Sequence, residues 1–147
     1  MKCSTTVLVL AAALAGCSSS TSPSPIAGTW NLTASNLTGE GGTCSLTGTV
    51  QFTQNGGNLG GNLPNPGVVV NCTNTTGTST GVSTGNDLIM GYVSGVGVSF
   101  NLDTGSVIAS GNVTGNGMMS GTTIVVWYPH SSINVTGSSW SATLTSP

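Results

Sequence analysis

Positive charge is almost missing from this chain: among 147 residues, Lys2 is the only lysine or arginine. Proteins that hold nucleic acid neutralise phosphates with Lys and Arg, so a nucleic-acid partner is excluded. The same shortage excludes electrostatic attraction to anionic lipid head groups. Acidic residues are hardly commoner, being Glu40, Asp87 and Asp103 alone. They lie far apart, each beside Gly, Asn or Thr, as carboxylates in turns do. Paired acid–base chemistry would need two of them to meet across a cleft. Calcium would need several more oxygens than Asn86-Asp87 or Asp103 bring. His130 is the only histidine, set among Tyr128, Pro129, Ser131 and Ser132 in what reads as a loop. Without a Cys or His cluster around it, no metal site is expected. No nucleophile elbow of the Gly-x-Ser-x-Gly kind is read from the chain, and serine is abundant enough to make any match cheap. Neither a cofactor nor enzymatic activity is expected.

What is there begins at the N-terminus. Lys2 precedes an apolar run from Val7 to Ala15, and small residues lead into Cys17. The run is too short to cross a hydrocarbon core, which takes about 20 residues. It has the shape of a secretory signal, with a short apolar region and a small-residue cleavage site. Leu14-Ala15-Gly16-Cys17 resembles the lipobox of bacterial lipoproteins. The resemblance implies that the Cys17 thiol receives a diacylglycerol, that the chain is cut after Gly16, and that the new amine is acylated. Lys2 would leave with the signal, and the mature chain would hold a membrane through its N-terminal acyl chains alone. One such chain binds marginally, whereas two or more hold stably. Ser18 after the lipidated cysteine resembles the outer-membrane class of these proteins, in which Asp at that place favours the inner membrane. The expected location is therefore the cell envelope, at the outer membrane facing the periplasm or the surface.

Residues 18–25 read Ser-Ser-Ser-Thr-Ser-Pro-Ser-Pro, a tether with nothing to bury. The expected organisation is a signal at 1–16, the lipidated cysteine and tether at 17–25, and a single β domain over 26–147. Cys3 would be lost with the signal and Cys17 would carry lipid. Cys44 and Cys72 remain, an even pair in an exported chain, and are predicted to form a disulfide. Two buried free thiols are the alternative.

Apolar residues recur with a period of two. Trp30, Leu32 and Ala34 alternate with Asn31, Thr33 and Ser35, and Leu46, Gly48, Val50 and Phe52 with Thr47, Thr49, Gln51 and Thr53. Val98, Phe100 and Leu102 repeat the pattern, as do Trp140, Ala142 and Leu144. This is the mark of half-buried strands, and no helical stripe follows the signal. Turn residues fall between the runs, at Asn55-Gly56-Gly57, Thr84-Gly85-Asn86-Asp87, Asp103-Thr104-Gly105 and Thr114-Gly115-Asn116-Gly117. Pro64-Asn65-Pro66-Gly67 predicts interrupted pairing and a longer loop. One internal repeat, Gly-x-Val-(Ser/Thr)-Gly-x-Gly-apolar, occurs at Gly91–Val98 and again at Gly111–Met118. Each copy reads as strand, tight turn, strand. The Gly-x-Gly within it lacks the following helix that nucleotide binding needs. Six Asn-x-Ser/Thr triplets, beginning at Asn31, Asn36, Asn71, Asn74, Asn112 and Asn134, follow from the abundance of Asn and Thr.

The expected fold is all-β, an antiparallel up-and-down meander closed as a barrel of about eight strands, with a β-sandwich as the alternative. Gly28-Thr29-Trp30 resembles the Gly-x-Trp that opens the first strand of lipocalins and avidins, where the Trp plugs one end of a barrel. Ser139–Leu144 resembles the Trp-bearing last strand of avidins. Two departures limit the resemblance. The late Arg that covers the first-strand Trp in lipocalins is missing. The Asn-Gln-x-Gly-Ser element of avidins is replaced by Asn31–Ser35, so no biotin residue carries over.

Two functions are expected from this reading. In the first, a lipid-anchored barrel takes a small apolar ligand, with Trp30, Trp127, Tyr128 and Trp140 as candidate aromatic walls. In the second, the domain is a structural or surface interaction module without a small ligand. Its neutral Thr, Ser and Asn face would then pack on an envelope component such as a glycan or another protein.

Overall fold

A computed structural model of the protein describes residues 22–39, 42–74, 77–85, 89–102, 107–128, 133–137 and 139–147. Cys17, Glu40, Asp87, Asp103 and His130 lie outside them, as does the signal expected at 1–16. The described residues form ten strands and no helix. In chain order these are β1 (Gly28–Gly39), β2 (Gly42–Asn55), β3 (Asn58–Asn74), β4 (Gly77–Gly85) and β5 (Met90–Ser94). They continue with β6 (Gly97–Leu102), β7 (Val107–Gly115), β8 (Met118–Tyr128), β9 (Ile133–Gly137) and β10 (Trp140–Ser146).

All pairings are antiparallel, and the path of neighbours closes on itself. β10 pairs with β1 on one side, Trp30 opposite Leu144, and with β8 on the other, Trp140 opposite Gly121. Ten strands fill eight positions of this ring because two positions are each shared by two strands in line. β4 pairs with the second half of β3 and β5 with its start. Likewise β9 flanks the ends of β8 and β1, where β10 flanks their beginnings. The expected all-β meander of about eight strands is what the chain forms.

The alternation read from the sequence sets the two faces of the wall. Trp30, Leu32 and Ala34 are buried, and Asn31, Thr33 and Ser35 between them are exposed. A bulge then changes the phase of β1. Ala34 stands opposite Leu46 and Leu37 opposite Cys44, so β1 carries one extra residue there. Asn36 takes it up at φ 56°, in the left-handed region that Asn tolerates. The shift turns Leu37 inward, and it is fully buried.

Across the interior, Phe52 of β2 meets Phe100 of β6 edge to face at 5.1 Å, and Phe100 meets Trp140 of β10 at 5.3 Å. β2 and β6 are three positions apart around the ring, so their rings can touch only if side chains fill the middle. Leu32, Leu46, Ile89, Leu102 and Ile124 pack around them, each with no exposed surface. Burial of each contributes about 1.5–3 kcal/mol. Among the residues whose side chains are described, no polar one is buried.

The Pro64–Gly67 stretch differs from expectation. Pairing is interrupted there, since Gly48 faces Val68 but Gln51 already faces Asn62. Yet the chain does not leave the sheet as a loop; β3 runs through from Asn58 to Asn74. The reason lies in the flanks. Leu63 and Val68 are both buried, so the backbone between them is tied to the core at each end and can only bulge.

Both copies of the internal repeat form the expected hairpins. β5 turns into β6 at Gly95-Val96, and β7 into β8 at Asn116-Gly117. The second turn has φ 51° and 68° at its two central residues, the mirror-image type I geometry for which Asn-Gly is the favoured pair.

Candidate functional site

The two ends of the ring are built differently. The near end carries the tight turns after β2, β5 and β7, together with the start of β1 and the end of β10. A short N-terminal segment crosses it. The Ser24 N–H donates to the Gly95 carbonyl at 2.8 Å, next to the β5–β6 turn. The Ile26 N–H donates to Gln54 Oε1 on β2 at 2.7 Å, and Gln54 Nε2 donates back to the Ser24 carbonyl at 3.1 Å. Ile26 is driven inward and is 1% exposed. The tether expected to run to residue 25 therefore joins the domain from Ser24, because Gln54 supplies the donor and acceptor that its backbone lacks.

Trp30 sits directly beneath this plug. It is 1% exposed, and its indole N–H donates to the Ile26 carbonyl at 2.9 Å. Trp140 lies deeper, opposite Ala34, with its N–H donating to the Ser110 carbonyl at 3.0 Å. Gly121 makes room for that indole; a Cβ at this position would collide with the ring and with the Ser110 carbonyl. The two tryptophans are thus four residues apart along the β1–β10 ladder, about 13 Å, and do not form one aromatic wall. Trp127 and Tyr128 end β8 opposite Asn134 and Ile133 of β9. Their side chains lie outside the described set.

Two depressions border the candidate tryptophans. One, of about 430 Å³, lies at the near end between the N-terminal segment and the β7–β8 turn, with Trp30, Val96, Val113 and Leu144 on its apolar side. The other, of about 290 Å³, lies on the outer wall beside Trp140 and is bounded by Thr33, Ser45, Thr47 and Ser141. Thr33 and Ser141 share a hydroxyl contact of 3.0 Å there. Both present apolar surface and hydroxyls and no ionised group.

The far end holds the disulfide. Cys44 and Cys72 are direct partners across β2 and β3, are both buried, and are bonded as expected. The Gly-x-Ser-x-Gly pattern does occur, contrary to expectation, at Gly77–Gly81 and Gly81–Gly85. Both copies lie within β4. A nucleophile elbow needs its serine on a strand-to-helix turn, and β4 leads into no helix among the described residues.

No protein-family model, curated protein or solved structure matches the chain. Sequence reasoning missed Ile26 and Gln54, which together seal the near end. The available signal was an apolar residue just before Gly28-Thr29-Trp30 and an uncharged amide just before the Asn55-Gly56-Gly57 turn.

Proposed function

We propose that the protein is a lipid-anchored component of a bacterial cell envelope whose β domain works as a neutral surface interaction module, not as an enzyme. The Leu14–Cys17 lipobox supports the anchor, and Cys17 is the residue that would carry it. The observation that supports the module is the aromatic contact across the interior, Phe52 to Phe100 to Trp140. It fills the middle of the ring with side chains, and both described indole N–H groups are already bonded within the domain. Function then falls to the outer wall of Thr, Ser and Asn, which can hydrogen-bond a glycan or another envelope protein without charge.

A second reading keeps the small apolar ligand and places it at the near end. The 430 Å³ depression beside Trp30 supports that reading. It is within the usual size range of small-molecule sites.

The anchor is tested by expressing the full chain in a Gram-negative host fed a clickable fatty acid. The expected result is labelled protein in the outer-membrane fraction, lost with Cys17→Ser. An unlabelled soluble protein in both cases would refute the reading.

A further inference from the structure

We infer that the near end of the ring is the membrane-facing end, with Val96 and Met118 seated in the lipid interface and Tyr92 at head-group level. This rests on the proposed acylation of Cys17. Three observations carry it. First, the chain leaves the domain at the near end: Ser24 is bonded to the Gly95 carbonyl, so the N-terminal segment departs beside the β5–β6 turn. From Ser22, the first described residue, back to Cys17 is five residues, which span at most about 18 Å. Lipid on Cys17 would therefore be held close to this rim and could not reach the far end of the wall with equal ease.

Second, the rim offers apolar surface. Val96 forms the tip of the β5–β6 turn and is 58% exposed, and Met118 opens β8 at 49%. Tyr92, 56% exposed, lies two residues below the end of β5, its ring beside Gly57 of the β2–β3 turn. A tyrosine with an apolar body and a polar tip suits the boundary between lipid and water. Third, the rim has no ionised side chain to desolvate, since none lies between Ser22 and Gly39, Gly42 and Gly85, Ile89 and Leu102, Gly105 and Pro129, or Ser139 and Pro147. Attraction through the side chains of the rim is then apolar and does not depend on lipid charge.

The test uses the acylated full chain in phosphatidylcholine vesicles, with an environment-sensitive dye on Val96→Cys, on Met118→Cys, or on Thr73→Cys at the far end. All three positions are exposed, so the label does not disturb the core. We expect blue-shifted emission at 96 and 118, with quenching by nitroxide lipid at least threefold stronger than at 73, unchanged when anionic lipid is added. Equal access of aqueous iodide to all three positions in protein that floats with the vesicles would overturn the orientation while leaving the anchor intact. Protein that fails to float would overturn the anchor and the orientation with it. Shielding of 96 and 118 in the soluble Cys17→Ser chain, together with a dimer mass, would assign the rim to a second copy and overturn the proposal.

Discussion

The near and far ends of the ring are held together by different means. The near end is held without a covalent link, by two-residue turns and by a plug of Ile26 held through Gln54. The far end carries a covalent bond, Cys44–Cys72, between the neighbouring strands β2 and β3, where β2, β3 and β4 run together beyond the β3–β5 contact. Short turns constrain neighbours in sequence. The disulfide constrains residues separated by 28 positions, and so acts on the unfolded chain as well as the folded one. The contrast says that stability at the far end depends on redox state, and stability at the near end on side-chain packing.

Breaking the far end should have the largest effect. Replacing Cys44 and Cys72 together by Ala is expected to cost about 3–4 kcal/mol by the chain-entropy estimate, read as a lower midpoint in urea. Hydrogen exchange of the same variant should quicken in β2–β4 near the bridge and leave the β7–β8 turn unchanged. Uniform loss of protection would mean that the ends are not separate.

At the near end, Ile26→Ala removes the plug and is expected to cost about 2–4 kcal/mol. Solvatochromic dye binding should rise at the same time, because the segment whose Ser24 and Pro25 border the apolar depression beside Trp30 loses its buried anchor. A variant as stable as the parent would show that the segment merely lies on the rim. Gln54→Ala is a smaller break. It leaves the Ile26 N–H without its acceptor in a half-buried place, at about 1–2 kcal/mol, measured by the same unfolding curve. Gly117→Ala sharpens the comparison most finely. A side chain at φ 68° is strained, and its Cβ would press on Leu144, so a loss of about 1 kcal/mol is expected.

Most of the wall was legible because period-two alternation is a direct consequence of strand geometry. Trp30–Ala34, Val98–Leu102 and the paired hairpins of the internal repeat needed nothing else. The disulfide followed from counting the cysteines that remain once Cys3 and Cys17 are assigned to the expected signal and anchor. The reading failed where distant parts of the chain decide. Pro64–Gly67 looks like a loop when only its own residues are considered, and burial of Leu63 and Val68 on either side keeps it in the sheet. Ile26 and Gln54 are 28 residues apart, and nothing local announces that an amide will cap an incoming strand. The candidate ligand walls suffered likewise. Trp30 and Trp140 both sit on period-two strands, but the register of β1 with β10 that separates them comes from the closed ring.

The central claim is that side chains fill the interior and leave function to the outer surface. The most direct test is native mass spectrometry of the chain from Ser18 onward, exported behind a cleavable signal so that the disulfide forms. The account predicts the bare sequence mass less two hydrogens. A reproducible extra mass that organic solvent removes would contradict it, and would make the small-ligand reading the correct one.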